Sequence, residues 1–277
     1  MIRLGKNYFQ HFASSGALGY DGKGWPWEHP LEYFNLFKHE LFIPITKTLT
    51  YKPNKGNFRW YKQWKTIKLL ENGVINAMSL GNPGIIWWYS KYRYTKQIVS
   101  IYSENIVELA SMIIMINNSN AIGIELNESC PNLCISPTEK IIEDCHTARK
   151  ISNKPIILKL SILHDIVEIL PKIDVDAISI NSIPWNIIFP DNKPPLEYGG
   201  AVSGKIIQPY TWNFLQKIVK MSDIPVIGPS IWEYDDMHKL ESLGAKGFSF
   251  GSIFLRYPWR PTEYVLRWER EKNFKKE

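Results

Sequence analysis

Gln97-Ile98-Val99-Ser100-Ile101, then the stretch Glu104–Ile116, then Ala121-Ile122-Gly123-Ile124-Glu125-Leu126 decide the fold. The two outer runs are short, apolar and rich in β-branched residues, as buried strands are. The stretch between them places its apolar residues at helical spacing. A strand–helix–strand unit of this kind returns to a parallel neighbour by a right-handed crossover. The alternation continues outward in both directions. Strands are predicted at Phe42–Thr48, Pro155–Leu160, Asp176–Ile180, Ile224–Ile227 and Lys246–Phe250, with a less regular one near Gly73–Ala77. Helices are predicted at Pro137–Ile151, His164–Ile173, Tyr210–Met221, Tyr234–Leu243 and Pro261–Phe274. Ser136-Pro137-Thr138-Glu139 has the form of a helix start, with Ser as cap, Pro in the first position and Glu reaching back. Gly244 follows Leu243 as a helix stop. Eight strand–helix units predict an α/β fold, a (β/α)8 TIM barrel. An open doubly wound sheet is the alternative. It ordinarily carries a Gly-rich turn after its first strand, and none follows Phe42–Thr48.

A chain of 277 residues, 44% of them hydrophobic, can bury one large core. With no linker or repeat to divide it, we expect a single domain over residues 1–277. The apolar runs Ile85–Tyr89 and Met112–Ile116 are too short to span a bilayer. Met1-Ile2-Arg3-Leu4-Gly5-Lys6 does not have the form of a signal peptide. A soluble, cytoplasmic protein is therefore expected, without a membrane partner. The three cysteines, Cys130, Cys134 and Cys145, are too few for a disulfide framework or a four-cysteine metal site, and no metal is expected. A formal charge of +6 suits an anionic small ligand and does not call for nucleic acid.

Polar residues gather where the predicted strands end. Lys47 and Thr48 close the first, Asn76 the second, and Asn127, Lys159 and Asn181 the fourth, fifth and sixth. Gly228 and Gly251 close the last two. In a barrel these ends share the face where active sites lie. A single Asn at a strand end is commonly a turn former. Two Lys and three Asn together suit a flat heterocycle with amide-like edges and an anionic group. Gly228-Pro229-Ser230 and Gly251-Ser252 sit where such barrels bind phosphate. Cys130, on the loop after the fourth strand, suits proton transfer or nucleophilic work, although most free cysteines are small core residues.

These segments resemble the dihydroorotate dehydrogenase family over nearly the whole chain. Asn127 to Asn132 matches the family's Asn-x-Ser-Cys-Pro-Asn motif, the most specific of the signals. Ala13–Tyr20, Thr46–Thr50, Asn76–Gly84, Leu158–Leu160, Asn181-Ser182, Gly199–Gly204 and Gly251-Ser252 are similar to further family segments. The resemblance implies an FMN cofactor and the oxidation of dihydroorotate to orotate in pyrimidine biosynthesis. It implies Cys130 as the base for the C5 proton. It implies Lys47, Asn76, Met78, Ser79, Leu80, Asn127, Asn132, Asn181 and Ser182 at the substrate. For the cofactor it implies Ser15, Lys47, Thr48, Asn127, Lys159, Ser203, Gly204, Gly228, Ser230, Gly251 and Ser252. A cysteine base resembles the soluble class 1 enzymes, which implies a homodimer, or a complex with an iron–sulfur/FAD electron-transfer subunit. The electron acceptor stays open among fumarate, NAD and a quinone.

The chain departs from the family pattern at several places. Glu128 is an acid where the family usually has an apolar residue. Ser79 and Pro229-Ser230 replace glycines, and Ser100 replaces an Asn found in some members. Trp25-Pro26-Trp27 and Ile86-Trp87-Trp88-Tyr89 match no motif, and core or subunit packing is expected of them. Two other readings stand beside the first. One is a flavoenzyme acting on tRNA, similar to the dihydrouridine synthases. The other is a catalytically idle ligand-binding barrel.

Overall fold

The computed structural model describes residues 1–57, 65–129 and 136–274. The strands β1 (Ile2–Leu4) and β2 (Asn7–Phe9) form an antiparallel hairpin. After them come β3 (His11–Ala13), α1 (His29–Tyr33), β4 (Ile43–Pro44), β5 (Ile67–Leu70), β6 (Gly73–Asn76) and α2 (Ile85–Tyr92). A strict alternation follows: β7 (Ile98–Ile101), α3 (Ile106–Asn117), β8 (Gly123–Asn127), α4 (Thr138–Ile151), β9 (Ile156–Leu160), α5 (Ile166–Ile169) and β10 (Ala177–Ile180). Next are β11 (Ile183–Pro184), α6 (Trp185–Ile188), β12 (Ala201–Gly204) and α7 (Gln208–Met221). The chain then runs through β13 (Ile227–Gly228), α8 (Asp235–Ser242), β14 (Gly247–Phe250), α9 (Ser252–Arg256) and α10 (Arg260–Phe274).

Two parallel four-stranded sheets, in the orders β13-β14-β3-β4 and β10-β9-β8-β7, make up the barrel wall. Parallel bridges join them on both sides. Ile45 pairs with Ile98 and Leu49 with Ile101, linking β4 to β7, while Ile178 pairs with Val226, linking β10 to β13. The eight strands therefore close into a ring, and the fold is a (β/α)8 barrel. One predicted member was wrong. Gly73–Ala77 does contain a strand, β6, but it pairs antiparallel with β5 and β12 outside the ring. The first barrel strand is His11–Ala13, so Phe42–Thr48 supplies the second strand, not the first.

Local chemistry accounts for most helix boundaries. Asn105 caps α3 by accepting from the Glu108 N–H at 3.0 Å, and Asp165 caps α5 in the same way. Gly244 (φ +100°) ends α8 in the left-handed conformation expected of it. The expected capping box before α4 does not form. Pro137 is the cap residue and makes no side-chain cap bond, and Ser136 Oγ donates to Glu128 Oε2 at 2.7 Å instead. The helix predicted at His164–Ile173 is shorter, consisting of α5 and a 3-10 turn over Leu170–Lys172. The apolar faces of α3 (Leu109, Met112, Ile113, Ile116), α4 (Ile141, Cys145, Ala148) and α7 (Phe214, Leu215, Ile218) pack on the outside of the barrel. Each such Leu or Ile contributes about 1.5–3 kcal/mol by leaving water. Among the described residues no helix is long and apolar enough to cross a membrane.

The barrel interior is layered. Its lower part is an apolar plug of Phe12, Ile45, Ile98, Ile157, Ala177 and Ile227, closed from below by Ile2, Leu4 and Phe9 of the hairpin. Two residues further along a strand the side chain points to the same face again. There the chemistry changes: Phe12 gives way to Ser14, Ile45 to Lys47, Ile98 to Ser100, Ile157 to Lys159 and Ala177 to Ser179. The upper barrel is therefore polar. Above it stands the antiparallel sheet β11-β12-β6-β5, built from the excursions after β4 and after β10.

Candidate functional site

A cavity of about 290 Å³ opens at the C-terminal mouth of the barrel, at the small end of the range for small-molecule sites. Its floor is the polar layer, with Glu125, Asn127, Lys159 and Ser179. One wall is formed by Ser15, Lys47, Thr48, Asn76, Met78, Ser79 and Leu80, and another by Asn181, Ser182, Ser203 and Gly204. Ser230, Gly251 and Ser252 line it from the last two units of the barrel. Among the described residues, every expected site residue except Gly228 is thus brought together from distant parts of the chain.

Hydrogen bonds fix several of them. Asn127 Nδ2 donates to Thr48 Oγ1 at 2.7 Å, and its Oδ1 accepts from Ser129 Oγ at 3.0 Å. Asn181 Nδ2 donates to the Ser129 carbonyl at 2.8 Å, and its Oδ1 accepts from the Ser182 N–H at 2.8 Å. Lys47 Nζ donates to the Gly81 carbonyl, tying β4 to the loop after β6. In that loop Asn76 Oδ1 accepts from the Met78 N–H at 2.8 Å, which holds the turn presenting Met78, Ser79 and Leu80.

Two of the substituted glycine positions keep a glycine-like backbone. Ser79 has φ +59° and Ser230 has φ +65°, both in the left-handed region. A side chain there costs roughly 1–2 kcal/mol relative to glycine. At Ser230 the neighbours hold the conformation: Gln208 Nε2 donates to its carbonyl at 2.9 Å, and its Oγ lies 3.3 Å from Thr211 Oγ1. The loop therefore follows a path open to glycine despite the change of residue.

Two expectations change, and the departure at Glu128 takes a definite place. Gly228 does not line the cavity. It lies one residue after the inward-facing Ile227, so it faces outward, and a Cβ there would lie 3.0 Å from Leu240 and 3.1 Å from Ala245. Trp25 and Trp27, expected in packing roles, line the cavity. Their rings stack 5.4 Å apart and 2° from parallel, and Trp25 Nε1 donates to the Gly16 carbonyl at 3.2 Å. Buried Glu28 holds this turn by accepting from the Trp25 N–H at 2.7 Å, and burial pushes its carboxyl up to about 7. Glu128 faces neither the cavity nor solvent. It is 2% exposed and accepts from Ser136 Oγ and, at 3.0 Å, from Lys140 Nζ, which also reaches Asp144. Burial pushes Glu128 up to about 7; Asp144 adds to the rise, and Lys140 and Ser136 oppose it. Cys130 and Asn132 lie outside the described residues. Trp88 is core, as expected of it.

Four of the cavity's hydroxyl and carboxylate side chains were not among the expected site residues: Ser14, Glu125, Ser179 and Ser249. All four are inward positions of barrel strands or their ends, where a polar residue follows an apolar or glycine residue at a spacing of two.

A family model for dihydroorotate dehydrogenase matches residues 32–230. The chain belongs to the dihydroorotate dehydrogenase family. The catalytic subunit of dihydroorotate dehydrogenase B (NAD(+)) from Sulfolobus acidocaldarius is 30% identical over 232 residues, covering 79% of this chain and 77% of the relative. The catalytic subunit of the same name from Petrotoga mobilis is 28% identical over 262 residues, covering 87% and 82%. That from Caldicellulosiruptor saccharolyticus is 29% identical over 265 residues, again covering 87% and 82%. Family membership and the barrel agree with each other, since the matched span includes the strands that supply Lys47, Asn127, Lys159 and Asn181.

Proposed function

We propose that this protein oxidises dihydroorotate to orotate for pyrimidine biosynthesis, using FMN bound in the barrel-mouth cavity. The observation that carries the proposal is the convergence of Lys47, Asn76, Asn127, Lys159 and Asn181 on one cavity in a chain of this family. The donor set suits the cofactor. Lys159 and Asn127 offer charged and amide donors to a ring with carbonyl edges. At the opposite side Gly204, Gly251, Ser230 and Ser252 allow hydroxyl and backbone groups to approach a phosphate. Gly204 has φ +98° and a Cβ there would lie 2.7 Å from the Gly73 Cα, so that place requires glycine, while one on Gly251 would meet only the Ser14 side chain, at 2.9 Å from Oγ.

FMN, when bound, supplies the hydride acceptor, and the protein supplies position and charge. Asn76, Asn127, Asn132 and Asn181 hold the pyrimidine by its amide edges. Lys47 stands beside the substrate's negative charge. Cys130 removes the C5 proton; a thiol with an ordinary pKa near 8.5 is a serviceable base close to neutral pH. The names of the relatives, catalytic subunits of an NAD(+)-dependent form, support a second, electron-transfer subunit as the partner that passes electrons on.

The test is anaerobic mixing of the purified, flavin-loaded protein with dihydroorotate. The yellow absorbance should bleach and orotate should form in equal amount; flavin that stays oxidised refutes the activity. Cys130→Ala should keep the bound flavin and lose most of the bleaching rate. A variant that bleaches at the wild-type rate removes Cys130 from the mechanism.

A further inference from the structure

The polar layer under the cavity holds a carboxylate whose place is unexplained by the reaction above. Glu125 is 1% exposed and lines the cavity floor. Its Oε1 accepts from Ser100 Oγ at 2.8 Å and from Lys159 Nζ at 3.5 Å, and its Oε2 accepts from Ser179 Oγ at 3.2 Å. A buried charge is tolerated only with such partners. Glu125 faces inward on β8 two residues before Asn127, and Asn127 stands level with Lys159 on β9. The carboxylate is therefore directly beneath the two groups best placed to bind a ring.

Its influence also travels along hydroxyls. An ionised carboxylate only accepts, so the Ser100 proton points to Glu125. Thr48 Oγ1 lies 2.9 Å from Ser100 Oγ and 3.2 Å from Ser15 Oγ, whose own proton goes to the Thr46 carbonyl; the shorter contact takes the Thr48 proton to Ser100. The lone pairs of Thr48 are left to accept Asn127 Nδ2–H at 2.7 Å. The chain Asn127–Thr48–Ser100–Glu125 thus runs in one direction, and it agrees with the Ser129 N–H, which donates to Asn127 Oδ1 from the other side of the amide.

We propose that Glu125 is a positioning residue for the bound flavin ring. It offsets the charge of Lys159 and, through Ser100 and Thr48, orients the Asn127 amide, and so sets how readily the flavin is reduced. The inference rests on the flavin reading above. Reduction adds negative charge to the ring, and an ammonium nearby favours that product; a carboxylate behind the ammonium weakens the effect.

Glu125→Gln keeps the shape and removes the charge. With the holoenzyme, the midpoint potential of the flavin should rise by about a tenfold change in the reduction equilibrium, roughly 30 mV for a two-electron couple. A merely structural role would change flavin occupancy and leave the potential alone. In a Lys159→Met background the same substitution should shift the potential little, because the partner through which Glu125 acts is gone. A Glu125→Gln holoenzyme with an unchanged potential, or an equal shift with and without Lys159, overturns the inference. If the Gln variant loses its flavin, Glu125→Asp, which keeps the charge behind Lys159, should hold flavin at a potential near the wild-type value; an Asp variant whose potential rises by the same roughly 30 mV also overturns the inference. Wild-type protein that binds no flavin would sink the functional reading instead, so the two failures are distinct.

Discussion

Replacing Glu128 by Gln removes a buried charge while leaving an acceptor for Ser136 Oγ, and its effect on stability should depend strongly on pH. Burial raises the Glu128 carboxyl from its ordinary value of 4.5 to about 7. Between those values the folded chain holds a proton that the unfolded chain has released. This part of the stability is complete below about pH 4.5 and is lost as the pH rises through 7. Integrated between pH 5 and pH 8, the loss is on the order of 2–3 kcal/mol. Glu28, also raised to about 7, acts in the same sense. His11 and His164, lowered by burial to about 4, act in the opposite one: their contribution is complete above about pH 6.5 and is lost as the pH falls through 4. All three persist in the variant, so the difference between variant and wild type isolates Glu128. Lys140 keeps Asp144 as a partner in the variant. An apolar replacement is a poorer probe, because it would leave Ser136 and Lys140 short of an acceptor. The measurement is urea unfolding of both proteins at several pH values from 5 to 8. The stability of the Gln variant relative to wild type should improve by on the order of 2–3 kcal/mol across that range. A difference that stays flat with pH refutes the argument that a strained carboxyl lies beneath Ser136.

Three further outcomes follow from the site. Trp25→Leu should weaken FMN or orotate binding by up to about tenfold, since an aromatic contact is worth about 0.5–1.5 kcal/mol beyond its buried area; titrations with each ligand that match wild type would return the Trp25–Trp27 pair to a packing role. Gly204→Ala should destabilise the fold by about 2–4 kcal/mol, because a side chain at φ +98° is strained and its Cβ would strike Gly73 in the β6–β12 pairing; chemical denaturation reads this directly. Lys159→Ala should reduce FMN affinity by about ten- to a hundredfold, the worth of a charge-assisted hydrogen bond, and equilibrium dialysis that finds wild-type affinity would remove Lys159 from the cofactor site.

Much of this site could be read from the sequence because a parallel barrel gathers its strand ends on one face. Lys47, Asn127, Lys159 and Asn181 are separated by long stretches of chain, yet a strand count was enough to bring them together. The count itself survived an error, because one strand was credited wrongly and another missed. His11–Ala13 is three residues long and follows a hairpin, too short for a pattern of period two to emerge. Gly73–Ala77 has a strand's composition, and composition does not distinguish a barrel stave from an antiparallel excursion. What the strand ends could not supply was depth. Ser100, Glu125 and Ser179 lie inside the strands, where apolar neighbours on the outward face conceal them. The signal was present as a step of two residues, Ile98 to Ser100 and Ala177 to Ser179, repeated around the ring. A single inward Ser in a buried strand has many explanations. The same change from apolar to polar along the inward face of several strands has one economical explanation: the core stops there and a ligand site begins. Ser79 and Ser230 were beyond such reading for a different reason. Whether a serine accepts a glycine's backbone angles is decided by partners distant in sequence, such as Gln208 and Thr211 for Ser230, and no local pattern carries that information.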